Sequence, residues 1–187
     1  MDLRRLVLIL ACAASTVLMP GCFLEPDEEE GAARREGLDV RVDGIDYNVF
    51  ITRELNPSMA DDRGYWHGPE AKPGFALYGV FIEACNRSDD DDDLEDATYD
   101  ATDDFTVMDT QGNEYKPLEA EKENQFHYHA VPLEPGTCIP TIGSLPQQGP
   151  TGGAMIPFLF PLAAGENRPL ELEIKSGGEE GRVELDL

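Results

Sequence analysis

The chain has 187 residues, with 14 lysines and arginines against 38 aspartates and glutamates, a formal net charge of −24 at pH 7, 41% apolar residues and four cysteines. Its length suits one domain rather than two. A charge this negative repels phosphate backbones and anionic lipid headgroups, which argues against a protein that binds nucleic acid or a polybasic membrane binder. The apolar fraction is too high for a chain that is disordered throughout.

The first segment has the pattern of an export signal. Arg4 and Arg5 precede an apolar run that is short for a membrane span. The run ends at Leu18-Met19-Pro20-Gly21-Cys22, which resembles the bacterial lipobox, where a small residue precedes a cysteine that is lipidated and becomes the mature N-terminus. We predict a signal peptide over residues 1–21 and a lipid anchor on Cys22, which would place the protein at the cell membrane, facing outside the cytoplasm. A plain secreted protein with a free cysteine is the alternative.

Residues 22–37 contain an acidic run, two glycines and no apolar period. Such a segment cannot bury enough surface to order itself. We predict a flexible acidic tether that holds a folded domain, residues 38–187, clear of the membrane.

The cysteine count predicts one disulfide. Cys12 leaves with the signal peptide and Cys22 carries the lipid, so Cys85 and Cys138 remain. Export to an oxidising compartment favours a bond between them. The closed loop would span about 54 residues, to which the chain-entropy model assigns roughly 4 kcal/mol. Two free thiols are the alternative.

From Leu38 onward the apolar residues recur with a period of two, which is typical of half-buried strands. Ile45, Tyr47, Val49 and Ile51 share one face of such a strand, and residues 75–84 are apolar on both faces, as expected for a central strand. Further strands are predicted over 38–43, 105–108, 154–162, 170–175 and 182–187.

Turn and breaker residues complete the pattern. Gln111-Gly112 predicts a hairpin turn, and residues 118–123 favour at most one helical turn. Prolines cannot donate to a ladder, so the strand over 154–162 should lie at an edge or begin after Pro157. Six to eight short strands separated by turns rich in glycine and proline predict an all-β fold, an antiparallel β-sandwich.

Several short motifs carry a family resemblance. They are Pro73-Gly74-Phe75 entering a strand that ends at Asn86, Asp109-x-x-Gly112-x-x-Tyr115, Leu133-x-Pro135-Gly136 and Phe160-Pro161. With the lipobox and the acidic tether, they resemble the bacterial lipoprotein family with a telokin-like, immunoglobulin-like domain of unknown function, related in fold to the secreted mycobacterial immunoprotective antigens. The resemblance covers about residues 38–174 and implies an immunoglobulin-like β-sandwich without established catalytic residues. The acidic stretch after Asn86 and residues 137–153 are insertions relative to the family pattern.

The first insertion is a candidate cation site. Asp89, Asp91 and Asp93 have the first three ligand spacings of a calcium loop, but Leu94 stands where that loop needs glycine. A hard dication would relieve the repulsion among the carboxylates, so weak Ca²⁺ binding is one interpretation. A solvated loop is the other, and we favour it.

Histidines form a second candidate. His127 and His129 are two residues apart, so on a strand both imidazoles would project from one face and could address one Zn²⁺ or Cu²⁺ ion. His67 is a possible third ligand, although nothing in the sequence brings it there. The alternatives are a surface pair without metal and a pair that senses acid conditions.

Tyr65 and Trp66 lie in the loop over residues 56–74 and could form an exposed recognition patch for a partner. We favour the alternative, in which they cover the edge of the sandwich, because tryptophan is largely buried in most proteins.

No catalytic motif is present in the sequence: Gly143-Ser144-Leu145 lacks the second glycine of a nucleophile elbow, and there is no H-E-x-x-H, Gly-rich phosphate loop or C-x-x-C. The predicted function is therefore non-enzymatic: a monomeric lipoprotein without cofactor that acts as a binding module, with an envelope protein as its partner and no nucleic acid. A metal-binding envelope lipoprotein is the first alternative. A hydrolase built from scattered carboxylates is the second.

Overall fold

The computed structural model describes residues 32–88 and 97–187. The predicted signal peptide, Cys22, most of the tether and the three aspartates Asp89, Asp91 and Asp93 lie outside the described residues. In chain order the elements are β1 (Arg34–Arg35), β2 (Asp39–Val42), β3 (Ile45–Glu54), β4 (Phe75–Cys85), β5 (Tyr99–Asp100), β6 (Phe105–Met108), β7 (Glu114–Tyr115), β8 (Pro132–Leu133), β9 (Cys138–Ile139), α1 (Leu145–Gln148), β10 (Ala154–Pro161), a 3₁₀ helix (Leu162–Glu166), β11 (Leu170–Ser176) and β12 (Glu179–Leu185).

Two sheets form the sandwich, which confirms the predicted all-β class. The first sheet has the order β1-β12-β11-β6-β7, and the second has the order β10-β4-β3-β2. All pairs are antiparallel except β1 with β12. The core between the sheets contains Tyr47, Val80, Phe158 and Leu172, each fully buried. No helix in the described part of the chain is long and apolar enough to cross a membrane.

The strand over residues 75–84 was predicted to be central, and β4 does have neighbours on both sides in the second sheet. β4 has β3 on one side and both β10 and β9 on the other, because β10 pairs with residues 75–82 and β9 pairs with Ala84 and Cys85. β10 lies at the edge, as its prolines predicted, but it starts before Pro157. The Met155 amide donates away from β4, to the Phe126 carbonyl at 2.6 Å. Pro157, two residues on, turns its nitrogen to the same outer side, so the ladder with β4 loses no hydrogen bond.

The predicted face of β3 is wrong beyond Val49, because the strand contains a bulge. Its register against β4 shifts between Val49 and Ile51. The extra residue reverses the alternation, so Ile51 is exposed and Thr52 is buried. Ile45, Tyr47 and Val49, which precede the bulge, face the core as predicted.

The start of the folded unit differs from the prediction. Arg34 and Arg35 pair with Val183 and Glu184 at the edge of the first sheet, so the folded unit begins inside the segment predicted to be tether. Unpaired groups on an edge strand accept such pairing even from a polar sequence. Residues 118–123 form no helix; their main chain instead attaches to β10 through the Leu118 amide and the Pro157 carbonyl.

Candidate functional site

A disulfide and a buried asparagine hold together the starts of the two insertions. Cys85 in β4 and Cys138 in β9 are directly paired across the sheet and bonded, as predicted. Next to them, the fully buried Asn86 side chain donates to the carbonyls of Ala97 and Leu133 at 2.7 and 2.9 Å. A buried amide with these partners fixes three chain segments at one end of the second sheet.

A groove lies beside this junction. It has a volume of about 560 Å³, within the range of small-molecule sites, and its lining comes from residues 125–133, residues 136–146 and Ala154. Seven of the sixteen lining residues are Val, Leu, Ile or Pro. Val131 and Ile142 are 47% and 64% exposed, although a folded chain gains by burying such side chains. We call this feature the groove.

Two buried polar atoms in the groove residues lack a hydrogen-bond partner. They are His129 Nε2 and Ser144 Oγ, two of five such side-chain atoms among residues 32–88 and 97–187. Ser144 occupies the N-cap position of α1, yet its hydroxyl makes no capping bond. A buried polar atom left unpaired costs about 1–3 kcal/mol. Because both atoms are closed off from solvent, they are unsatisfied positions within the residues of the groove wall and not contacts open to the groove.

Both ring nitrogens of His127 form hydrogen bonds with backbone atoms. Its ring is 2% exposed, Nδ1 accepts from the Glu121 amide at 2.8 Å, and Nε2 lies 2.7 Å from the Tyr65 carbonyl oxygen, to which it donates. Burial lowers the pKa of His127 below its usual 6.5, although the Tyr65 carbonyl and the Glu121 carboxylate oppose that shift. The histidine is therefore neutral and structural.

The histidine metal site predicted from the sequence is not formed. Both nitrogens of His127 are used in hydrogen bonds, so it has no lone pair for a metal. His67 is exposed and its Nδ1 lies 2.7 Å from Glu121 Oε2. The described residues do bring the ligand atoms of Glu83, Cys85 and Cys138 within 4.8 Å of one another, but both sulfurs are in the disulfide.

Tyr65 and Trp66 do not form an exposed patch. They are 7% and 8% exposed, and they pack with Leu77, Phe81 and Met155 on the outer face of the second sheet. The loop that contains them thus adds a third layer. The favoured alternative, burial against the sandwich, is confirmed, with the difference that they cover a sheet face rather than an edge. Trp66 also stacks on His127, with ring centroids 6.1 Å apart.

The sequence reasoning missed the groove residues Ser144, Ile142 and Val131. One signal was available: the insertion over residues 137–153 carries exposed apolar residues between prolines and glycines, a composition unusual for a solvated loop. His129 was found, but for metal binding with His127.

The described residues form a mainly antiparallel β-sandwich with a lateral groove next to a disulfide. No protein-family model and no curated protein sequence matches the chain. Among solved structures, it is similar to the yjhA protein from Bacillus subtilis, with 8% identity, a TM-score of 0.48 and coverage of 82% of this chain and 99% of that one. It is also similar to an uncharacterized β-sandwich protein from Clostridium difficile, with 11% identity, a TM-score of 0.37 and coverage of 87% and 100%.

Proposed function

We propose that the chain is a non-enzymatic binding module outside the cytoplasm, and that the groove is its binding site. The observation that carries this proposal is the groove itself, a concave feature of about 560 Å³ whose lining includes the exposed apolar side chains of Val131 and Ile142. Exposed apolar side chains gathered in a concave site are typical of a surface that a ligand or partner covers.

The non-enzymatic assignment is supported by what the groove residues do not do. Ser144 Oγ and His129 Nε2 make no hydrogen bond to each other in the structure, and no Asp or Glu is among the lining residues. A serine nucleophile needs a hydrogen-bonded base, and that base needs a third group to orient it. The groove residues therefore lack the arrangement that acyl transfer needs.

We further propose that the chain is a monomeric lipoprotein of the family with a telokin-like domain, anchored by lipid on Cys22 and in contact with an envelope component. The lipobox supports the anchor, and the Cys85–Cys138 disulfide supports export because the cytoplasm keeps thiols reduced. Its net charge of −24 disfavours nucleic acid as a partner.

Mass spectrometry of the protein purified from bacterial membranes tests the anchor. We expect the N-terminal peptide to begin at Cys22 and to carry acyl chains, and a Cys22→Ser variant to leave the membrane fraction. Cys12→Ser is the matched control and should change neither result. A native protein that retains residues 1–21 would contradict the proposal.

Methyl NMR tests the groove. The exported protein, labelled at Ile, Leu and Val methyls, is titrated with the small-molecule fraction of the bacterial envelope. We expect saturable shifts at Val131 and Ile142 and none at Leu172 in the opposite sheet. Ile142→Ser should weaken the response, whereas Leu162→Ser, a residue of similar exposure outside the groove (63% against 64%), should not. Shifts that are absent, or equally spread over both sheets, would refute the groove as a binding site.

A further inference from the structure

A second pocket shares His129 with the groove and is otherwise lined by different residues. It has a volume of about 360 Å³, toward the lower end of the range of small-molecule sites. Its lining comes from four segments, around Asp103, around Leu118, and over residues 128–130 and 155–157. We call this feature the second pocket. A ligand bound in it meets a set of residues that a ligand of the groove does not meet.

The second pocket carries one negative charge and no positive charge from Lys or Arg. Asp103 is its only acidic lining residue, and the Asp103 side chain is exposed. Within residues 32–88 and 97–187, no Lys or Arg forms an ion pair with Asp103. Lys116, which precedes the lining residue Pro117, instead has its Nζ 3.4 Å from Asp104 Oδ1. The second pocket therefore presents a carboxylate that is open to solvent and has no counter-ion from the described part of the chain.

The loop that carries Asp103 is held on both sides. The Thr102 amide donates to the Tyr47 hydroxyl at 2.9 Å, and the Thr102 carbonyl accepts from the Tyr128 hydroxyl at 3.0 Å. The Phe105 amide donates to the Asp103 carbonyl at 3.0 Å. Burial raises the pKa of Tyr128 well above its usual range, and the Tyr47 hydroxyl and the charge of Asp103 raise it further. The Asp103 carboxylate thus lies near Tyr128, which is itself a lining residue.

Several hydrogen-bond donors of the lining are already used within the protein. The Leu118 amide donates to the Pro157 carbonyl at 2.8 Å, and Pro157 has no N–H of its own. The Tyr128 amide donates to the Met155 carbonyl, also at 2.8 Å. The ionised Asp103 side chain contributes acceptors only. An anion needs donors and is repelled by the carboxylate, so the second pocket suits a ligand that brings both the donors and the positive charge.

From the charge, its placement and the use of the donors, we propose that the second pocket binds a small primary ammonium ion with a short apolar body. The ammonium group offers three donors and no acceptor, and it bonds the Asp103 carboxylate. The apolar body packs on Leu118 and Ala130, which are half-buried lining residues. The net charge of −24 attracts cations to the protein as a whole. No covalent step is involved, and the site is additional to the groove and does not rest on it.

Three probes test the ligand class: butylammonium, butyramide and butyrate share a four-carbon chain and differ in charge. Each is titrated into the exported protein, labelled at Ala, Ile and Leu methyls. We expect butylammonium to shift the Leu118 and Ala130 methyls in a saturable way, with a dissociation constant in the millimolar range because it has few atoms. It should bind at least ten-fold more tightly than butyramide or butyrate. The Ile142 methyl reports separately on the groove.

Variants then locate the charged contact. Asp103→Asn keeps the size of the side chain and removes its charge. It should weaken butylammonium binding at least about five-fold, because a hydrogen bond to a charged group is lost. Its urea midpoint should match that of the native protein, since no ion pair of Asp103 is broken. Glu119→Gln is the matched control: Glu119 is exposed between Leu118 and Ala120 but lies outside the lining, so removal of the same charge should change the affinity by less than about two-fold.

Three results would overturn the proposal. The first is butyramide or butyrate shifting the Leu118 and Ala130 methyls at concentrations as low as butylammonium does. The second is Asp103→Asn binding butylammonium as tightly as the native protein, or Glu119→Gln losing as much affinity as Asp103→Asn, which would mean that the acidic surface in general attracts the cation. The third is the absence of any saturable shift from butylammonium up to about 100 mM. None of these results bears on the groove, which the Val131 and Ile142 methyls test.

Discussion

The link between the disulfide and the groove gives a prediction that can be worked through in numbers. Cys85 and Cys138 are 53 residues apart in sequence. For a loop of that length, loss of the cross-link returns enough entropy to the unfolded chain to lower the free energy of unfolding by about 4 kcal/mol. Domains of this size are stable by about 5–15 kcal/mol, so the cross-link supplies a large share of the total.

Urea unfolding of the exported protein measures this contribution. With a slope of about 2 kcal/mol per molar urea, the midpoint should fall by roughly 2 M on reduction. Reduced native protein keeps both sulfur atoms, so this comparison isolates the cross-link from side-chain packing. The Cys85→Ala/Cys138→Ala variant should resemble the reduced protein, and a reducing agent should not move its midpoint further.

Hydrogen exchange locates the effect. β9 is only two residues long and is attached to β4 next to the disulfide, so we expect its amides and those of residues 140–146 to exchange faster after reduction. Amides of β11, in the opposite sheet, should respond only to the lower global stability. Equal midpoints for oxidised and reduced protein would refute the entropic argument. Unchanged exchange in β9 would refute the link to the groove.

Three further changes test packing elsewhere. His127→Gln keeps a donor and an acceptor but does not titrate. Burial lowers the pKa of His127, so below about pH 6.5 the unfolded chain binds a proton more readily than the folded protein does. The free energy of unfolding of the native protein should therefore fall as the pH drops below about 6.5, and that of the variant should fall less. Parallel urea midpoints of the two proteins between pH 7.5 and 5.5 would contradict this. Gly153→Ala would place a Cβ atom 2.8 Å from the Ile82 nitrogen and should lower the free energy of unfolding by about 1–3 kcal/mol in the same assay. Gly165→Ala is the control, because its Cβ atom would meet open space, and it should leave the stability unchanged. Equal losses of stability in the two variants would refute the clash. Asp109→Ala removes the acceptor of five hydrogen bonds, which lower the pKa of the Asp109 carboxyl. The urea midpoint of the variant should therefore lie below that of the native protein at neutral pH, and the two midpoints should converge as pH falls below about 4. A difference that does not depend on pH would refute the role of the charge.

The fold could be predicted because apolar and polar residues alternate locally along its strands. Residues 170–175 and 182–187 alternate cleanly, and they form the paired strands β11 and β12. The alternation predicted the wrong face of β3 where a bulge adds one residue to the strand. The bulge after Val49 moved Ile51 to the surface, and nothing in the run of β-branched and aromatic residues marks it.

The candidate site was only partly predictable. Spacing put His127 and His129 on one strand face, but the hydrogen bonds of His127 come from Tyr65 and Glu121, which lie 62 and 6 residues away. The sequence offers no means to see that one histidine is fully bonded while its neighbour keeps a nitrogen unpaired.

By itself, the sequence predicted the all-β class, the positions of the main strands along the chain and the favoured pairing of Cys85 with Cys138, because side-chain period and cysteine count do not depend on distant contacts. Only the tertiary structure decided that Tyr65 and Trp66 are covered and that His129 and Ser144 line one groove without partners. The reason is physical: whether a polar atom is satisfied depends on which remote carbonyls and amides fall within 3 Å of it, and that is fixed by the packing of the sheets and loops together.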